Sequence, residues 1–221
     1  SEMDYNGHGT MVAGVIGGLD NDVGVEGVNP QVSLCAIKAF DKEGSGKLSD
    51  ILAGVEWAVA QHVDILNLSF GSYEYSALLE GAIKNARANG MLVIAAAGND
   101  YANDTMYPAK YSGVIAVGSH DEGGWISGFS NWGAGVNFFA PGNHMLTTSL
   151  SEYGDDRYAP FYGTSAAAAY VSGLASLLRD EGYAAAQVES ILQKNVILAA
   201  SEHNPSDAPF KILNTVAILA D

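Results

Sequence analysis

Five stretches of the chain are apolar almost without interruption and contain many β-branched residues. A half-buried strand alternates apolar and polar positions, whereas a continuous apolar run is typical of a strand buried on both faces of a parallel sheet. The five stretches are residues 32–40, 63–70, 91–98, 114–119 and 136–140. We therefore predict five buried strands, and we expect the single cysteine, Cys35, to lie inert in the first of them.

Between and after these strands, apolar residues recur at the three- and four-residue spacing of a helix. This pattern predicts surface helices over residues 48–60, 76–89 and 184–196. Gly90 follows the second of them, at a position where glycine commonly ends a helix. Strands and helices that alternate in this way predict an α/β fold with a parallel sheet. Because the chain has no linker, repeat or low-complexity segment, we predict one domain over residues 1–221.

One further helix is predicted to be buried on all sides. It begins at the turn Gly163-Thr164-Ser165 and continues through small and apolar residues, with no charge before Arg179. Ser165 then lies in the first turn, where backbone N–H groups have no partner within the helix and negative charge is favoured. A serine at this position can be a structural N-cap, or a nucleophile whose own N–H helps to bind an oxyanion.

Composition narrows the class of protein. The chain has 221 residues, of which 48% are hydrophobic and 16% charged, as expected of a folded globular protein. Its formal net charge of -15 argues against nucleic acid as a partner, because affinity for phosphates depends on Lys and Arg. No apolar run is long enough to span a membrane. The acidity would suit the binding of cations.

Two other segments could provide chemistry together with Ser165. His8 lies between two glycines at the predicted start of a short helix, and Asn99 directly follows the buried strand at 91–98. Each residue alone is more often structural, as asparagine is in turns. All three nevertheless lie at the ends of elements, where parallel sheets carry their ligand sites. Together they would supply a general base, an oxyanion donor and a nucleophile.

These segments resemble the motifs of the subtilisin-like serine proteases, the subtilase family. The resemblance extends from His8 to about Ala217, and its segments are 8–14, 64–71, 96–99, 130–142 and 163–169. It implies a three-layer α/β sandwich, with a mostly parallel central sheet and helices on both faces. It also implies a serine endopeptidase in which Ser165 is the nucleophile and His8 the general base and acid. The Asn99 side chain and the Ser165 N–H would then form the oxyanion hole.

The chain departs from the family pattern in two respects. The family's triad aspartate lies on a strand well before the histidine, but this chain starts seven residues before His8. We therefore expect the aspartate to lie in a preceding segment, and we do not assign its role to Asp4. Ala166 and Ala169 stand where the family usually has methionine and proline. Without the aspartate, the 221 residues alone should be almost inactive as an enzyme. The alternative function is that of a non-catalytic, subtilase-like binding domain.

The resemblance also implies a site for an extended polypeptide substrate. Backbone pairing would involve, on one side, Gly44, Ser45 and Gly46 and, on the other, Ser69, Phe70 and Gly71. The alternative for residues 44–46 is a plain turn before the next helix. One wall of the main specificity pocket would be formed by Ala96, Ala97 and Gly98, and its floor by Met106. We predict a shallow apolar pocket that accepts medium-sized hydrophobic side chains.

A structural calcium site is a further expectation, and no organic cofactor is implied. Residues 19–25 resemble the family's calcium loop, in which the ligands would be the carbonyls of Leu19, Val23 and Val25 and the side chain of Asn21. An Asn- and Asp-rich sequence is equally compatible with a simple loop. By family resemblance we also expect a secreted or cell-surface protein and an N-terminal propeptide, although the sequence contains no visible signal peptide.

Overall fold

In the computed structural model, which describes residues 3–150, 157–199, 205 and 209–220, helices lie on both faces of a mostly parallel sheet. The helices are α1 (His8–Gly17), α2 (Leu48–Ala60), α3 (Ala77–Ala88), α4 (Thr164–Asp180), α5 (Ala185–Lys194) and α6 (Thr215–Ile218). The strands are β1 (Ile65–Leu68), β2 (Leu92–Ala96), β3 (Ile115–His120), β4 (Phe138–Pro141), β5 (Met145–Thr148), β6 (Tyr158–Phe161), β7 (Val196–Ala199) and β8 (Phe210–Leu213). The predicted α/β three-layer class is confirmed.

The main sheet has six strands in the order β1-β2-β3-β4-β8-β7. All its neighbours are parallel except β7, which runs antiparallel to β8. Strands β5 and β6 form a separate antiparallel pair. The carboxyl ends of β1 and β2 therefore lie side by side at one edge of the sheet, which is where such folds bind ligands.

Strand β2 shows why the sheet strands are continuously apolar. Leu92, Ile94 and Ala96 face the layer formed by α4 and α5. Val93 and Ala95 face the opposite layer, which contains α2 and α3. Successive strand side chains point to opposite faces, so a strand covered by helices on both sides needs apolar residues at every position.

Helix α4 is the buried helix that the sequence predicts. It packs against α1 and against strands β1 to β4. Its alanines at positions 166 to 169 are fully buried, and they allow the helix backbone to approach the sheet closely. None of the described helices is long and apolar enough to cross a membrane.

The predicted buried strand at residues 32–40 is not found. The segment joins no strand ladder in the described part of the chain, and only Phe40 forms an isolated bridge, to Gly46. Leu34 is 46% and Ile37 38% exposed, and Cys35 is exposed rather than buried in the core. An apolar run becomes a buried strand only when a neighbouring strand pairs with it, and β1 is the edge strand on this side of the sheet.

Candidate active site

Ser165 lies in the first turn of α4 and contacts the residue that follows β1. The Ser165 hydroxyl donates a hydrogen bond to the carbonyl oxygen of Ser69 over 3.1 Å. The Ser69 hydroxyl donates in return to the carbonyl oxygen of Ser165 over 3.0 Å. Both serines are only 8% exposed. The start of the helix is therefore held at the carboxyl end of the sheet by two reciprocal hydrogen bonds.

Asn99 is oriented by the residue before Ser165. Its Oδ1 accepts hydrogen bonds from the backbone N and from the Oγ1 of Thr164, over 2.9 and 3.0 Å. The Thr164 Oγ1 in turn accepts a hydrogen bond from the Gly98 N–H over 3.2 Å. Because the oxygen of the Asn99 amide is engaged with Thr164, its Nδ2 is left to donate elsewhere, and no acceptor for it lies among the described residues.

Two N–H donors converge beside Gly163. A methyl group on Gly163 would lie 3.4 Å from the Asn99 Nδ2 and 3.7 Å from the Ser165 backbone N. Gly163 has φ 138°, a backbone conformation that residues with a side chain rarely adopt. Because Gly163 carries no side chain, the position near both nitrogens is left unfilled, with the Asn99 Oδ1 also 3.7 Å from it. A small anionic oxygen in this space could accept hydrogen bonds from both.

His8 is the first residue of α1, and its ring packs edge-on against Phe161, with ring centroids 5.6 Å apart. Helix α1 is fixed in turn by Thr148 and Thr147, whose hydroxyls donate to the carbonyls of Thr10 and Met11. Burial lowers the pKa of His8 below its ordinary value, while the nearby Asp4 carboxylate raises it. The imidazole is therefore largely neutral at pH 7, as a general base must be.

His8 and Ser165 do not share a hydrogen bond in the described structure, because the serine hydroxyl points to Ser69 instead. Catalytic hydrogen bonds in unliganded enzymes are often absent or long, and they form when substrate binds.

Asp4 caps the amino end of α1. Its carboxylate accepts hydrogen bonds from the backbone N–H groups of Asn6, Gly7 and Thr10, and from the Thr10 hydroxyl. Partial burial raises the pKa of Asp4, but the four hydrogen bonds outweigh it and lower the pKa to about 2. A carboxylate engaged in this way orders the loop before His8.

Met106, the predicted floor of the specificity pocket, lies between the predicted wall at 96–98 and the predicted substrate-pairing segment at 69–71. A methyl group on Gly71 would be 2.8 Å from the Met106 Cβ, and one on Gly98 would be 3.1 Å from its Cγ. The Met106 N–H also donates to the Ala97 carbonyl over 2.9 Å. Ala96 and Ala97 are themselves buried, so they contribute backbone rather than an exposed wall. Half-buried Phe70 packs instead against Phe40, with ring centroids 4.9 Å apart.

Residues 44–46 form the end of a turn. The Asp41 carboxylate accepts hydrogen bonds from the N–H groups of Glu43 and Ser45, and the bridge between Phe40 and Gly46 closes the turn. Gly44, Ser45 and Gly46 are exposed. The segment is thus no strand in itself, and the Gly44 N–H and the Ser45 carbonyl are already bonded to the Asp41 backbone within the turn.

The predicted calcium ligands do not make a complete site within the described residues. Leu19, Asn21 and Val23 are exposed, and the Asn21 Oδ1 accepts a hydrogen bond from the Val23 N–H over 3.3 Å. Together with Val25 they offer four oxygens, fewer than the six to eight that calcium takes. No group of three or more His, Cys, Asp or Glu side chains in the described ranges is placed to hold a metal ion.

Comparison with known proteins supplies the family. The sequence profile described as "Subtilase family" matches residues 1–212. The chain belongs to the subtilase family.

Other subtilases are similar in sequence and in structure. The chain is 38% identical over 200 residues to the minor extracellular protease Epr of Bacillus subtilis (strain 168), covering 89% of this chain and 30% of that protein. It is 42% identical over 181 residues to subtilisin Savinase of Lederbergia lenta, covering 82% and 66%. A crystal structure of a cold adapted subtilisin-like serine proteinase matches with a TM-score of 0.82 and 31% identity, covering 96% and 76%. The chain thus spans only part of the length of these relatives.

Some residues that build this subtilase site carry no separate signal in the sequence. Thr164 orients Asn99, Phe161 supports His8, and Thr147 and Thr148 fix α1. Strands β5 and β6, which carry the last three, are short, and the hydrophobic pattern does not predict them. Asn67 did carry a signal, because it is a polar residue inside the apolar run of β1. Buried polar groups need hydrogen-bond partners, so its position indicates a buried polar contact.

We expect Asp4→Asn to lower the free energy of unfolding at pH 7, because the charged cap is lost. The pKa of Asp4 is lower in the folded chain than its ordinary 3.8, so its contribution is complete above about pH 4 and is lost as pH falls toward about 2. Urea titrations at a series of pH values should show the two curves converging below pH 4. Asp20→Asn, at an exposed carboxylate, is the matched control. A constant difference between Asp4→Asn and the unaltered chain down to the lowest pH would contradict this role.

Proposed function

We propose that the chain is the core of a serine endopeptidase that cleaves extended polypeptides by acyl transfer. The observation that carries this proposal is that the Asn99 Nδ2, whose amide oxygen is engaged by Thr164, and the Ser165 backbone N both lie near one unfilled position at Gly163. Donors arranged in advance around a developing oxyanion are commonly the largest single contribution to acyl-transfer catalysis. Membership of the subtilase family supports the same reaction.

The residues have the following roles in the proposed reaction. The Ser165 Oγ attacks the carbonyl carbon of the substrate peptide and gives its proton to the neutral His8 imidazole. The carbonyl oxygen becomes an anion that accepts hydrogen bonds from Asn99 and the Ser165 N–H. Collapse of this intermediate breaks the C–N bond, and His8 returns the proton to the leaving amine. Water then hydrolyses the acyl-enzyme by the same steps, with His8 again as base and then acid.

The first step requires the Ser165 hydroxyl to release the Ser69 carbonyl. One hydroxyl proton cannot be donated to Ser69 and to His8 at the same time. In the proposed reaction the hydroxyl leaves Ser69 by rotation about the Cα–Cβ bond of Ser165, which is a fast local motion, and then donates to His8. The observed arrangement is therefore the resting state of the proposed nucleophile.

The triad aspartate is proposed to come from a segment that precedes this chain. The Asp4 carboxylate is engaged in capping α1 and is not available for this role. The exposed apolar segment 32–40 meets the edge strand β1 where Phe40 contacts Phe70. A strand inserted between the segment and β1 would cover both, and its carboxyl end would lie at the same edge of the sheet as Ser69.

The proposed substrate binds as an extended chain. Its backbone would pair with the accessible turn at 44–46 and with residues 69–71 after β1. The side chain before the scissile bond would enter between Gly71 and Gly98, onto Met106. Because relatives include an extracellular protease, we also propose that this protein is secreted, with a propeptide preceding the domain.

Labelling with a fluorophosphonate, which reacts covalently with activated serines, tests the proposed function. We expect strong labelling of the chain extended at its N-terminus by the preceding segment of its gene, and very weak labelling of the 221 residues alone. In a subtilisin, loss of the aspartate lowers kcat by about 3 × 10⁴-fold. Ser165→Ala should abolish labelling in the extended form.

A control variant and the comparison of the short and extended forms distinguish the possible results of the labelling experiment. Ser176→Ala removes another buried hydroxyl from α4 and should leave labelling unchanged. Equal labelling of the short and extended forms would contradict an upstream aspartate. Absence of labelling in both, with the fold intact by circular dichroism, would refute the enzyme and favour a binding domain.

Met106→Ala should open the proposed specificity pocket. We expect the ratio of kcat/KM for substrates with Phe before the scissile bond to that for Ala to rise about tenfold, since added apolar contact in a pocket contributes roughly this factor. Met145→Ala, another half-buried methionine, is the matched control and should leave the ratio unchanged. An unchanged ratio in Met106→Ala, or a preference for Arg or Lys in the unaltered protein, would rule out this pocket.

We propose that calcium binds the loop 19–25 only when a preceding segment completes the ligand set. EDTA should then lower the Tm of the extended protein and leave that of the 221-residue chain unchanged. Asn21→Ala should remove the effect in the extended protein, whereas Asn85→Ala, an exposed control on α3, should retain it. An extended protein whose Tm does not respond to EDTA would exclude the site.

A further inference from the structure

We propose that Asn67 and Ser172 are positioning residues for the catalytic serine, acting through Ser69. This inference rests on the proposed function, and it assigns a role to two residues that are themselves neither the nucleophile nor part of the proposed substrate site. The observation is a directional chain of hydrogen bonds from the middle of α4, across β1, and back to the first turn of α4.

The last hydrogen bond of this series is made to Ser165 itself. The Ser69 hydroxyl donates its single proton to the Ser165 carbonyl over 3.0 Å, and it therefore needs a donor from elsewhere to keep its orientation. The Ser165 hydroxyl donates to the Ser69 carbonyl. Any displacement of Ser69 would consequently move both the backbone and the hydroxyl of Ser165.

Asn67 supplies the donor that Ser69 needs. Its Nδ2 donates to the Ser69 Oγ over 3.0 Å. Asn67 is half-buried in β1, between Leu66 and Leu68, which face the opposite layer of helices. The strand pleat therefore directs its side chain toward α4, on the same face of the sheet as Ser165.

Ser172 orients the Asn67 amide. The Ser172 hydroxyl donates to the Asn67 Oδ1 over 3.0 Å and also contacts the Ala168 carbonyl over 2.8 Å, so its one proton is shared between the two acceptors. Ser172 is 2% exposed. With the amide oxygen fixed by Ser172, the Nδ2 is directed to Ser69.

The sequence of donors runs in one direction, from Ser172 through Asn67 and Ser69 to the Ser165 carbonyl. Hydrogen bonds in such a chain polarise one another, and in a buried environment each is costly to break. This series of hydrogen bonds joins two turns of α4 through strand β1, so it fixes the start of α4 relative to the sheet. A misplacement of about 1 Å at a reacting group can lower the rate about 100-fold.

Steady-state kinetics on the upstream-extended protein, with a peptide nitroanilide that has an apolar residue before the scissile bond, tests this proposal. Asn67→Ala should lower kcat by about 10- to 100-fold, because the nucleophile is misplaced, and leave KM within about twofold. Ser172→Ala should lower kcat by a smaller factor, since Asn67 can still donate to Ser69.

Ser176→Ala is the matched control. Ser176 lies one turn further along α4, is 5% exposed, and bonds the Gly173 carbonyl and Asn29 rather than Asn67. Its variant should retain the kcat of the unaltered protein. If Asn67→Ala and Ser172→Ala match Ser176→Ala in kcat, or if they raise KM with kcat unchanged, the positioning role is overturned.

Amide hydrogen exchange, measured by mass spectrometry, decides the inference independently of activity. Asn67→Ala should accelerate exchange at the first turn of α4, where the Ala166 and Ala167 N–H groups bond the Gly163 carbonyl. Exchange over residues 174–178 should not change. If the unaltered protein does not cleave the substrate, the proposed function fails. If exchange at the first turn of α4 is unchanged in Asn67→Ala, the positioning role of Asn67 and Ser172 is overturned.

Discussion

The first turn of α4 is buried against the carboxyl ends of two neighbouring parallel strands, and the site depends on this contact. The end of β1 is joined to the turn through Ser69 and Ser165, and the end of β2 through Gly98 and Thr164. The free N–H groups of a helix start must otherwise find partners in water or in side chains. Here the Thr164 N–H is satisfied by Asn99, and the Ser165 N lies 3.7 Å from the position that a methyl group on Gly163 would take.

Small residues make this contact possible. The fully buried alanines of α4 let its backbone approach the sheet, so that hydrogen bonds can connect the helix to strand ends 66 and 96 residues away in sequence. Ala166 and Ala169 differ from the usual family pattern. Both are fully buried, and the first turn of α4 is closed by hydrogen bonds from the Ala166 and Ala167 N–H groups to the Gly163 carbonyl.

Two effects of opposite sign act on the pKa of His8. The Asp4 carboxylate is close enough to raise this pKa, although its hydrogen bonds are made to the amino end of α1. Burial acts in the opposite direction and lowers the pKa of His8. The imidazole is thus kept largely neutral, and its position depends on α1, on Phe161 and on the threonines of β5.

Local patterns of residues were enough to predict the α/β class, four of the five strands, the buried helix at Ser165 and the family, because periodicity and short motifs are local properties. The folded structure was needed to show that residues 32–40 have no strand partner among the described residues, that Asp4 is a cap, and that Asn67 connects Ser172 to Ser69. Strand pairing and buried hydrogen bonds join residues that are distant in sequence, so no local pattern reveals them. Whether a polar group is satisfied depends on what the fold places beside it.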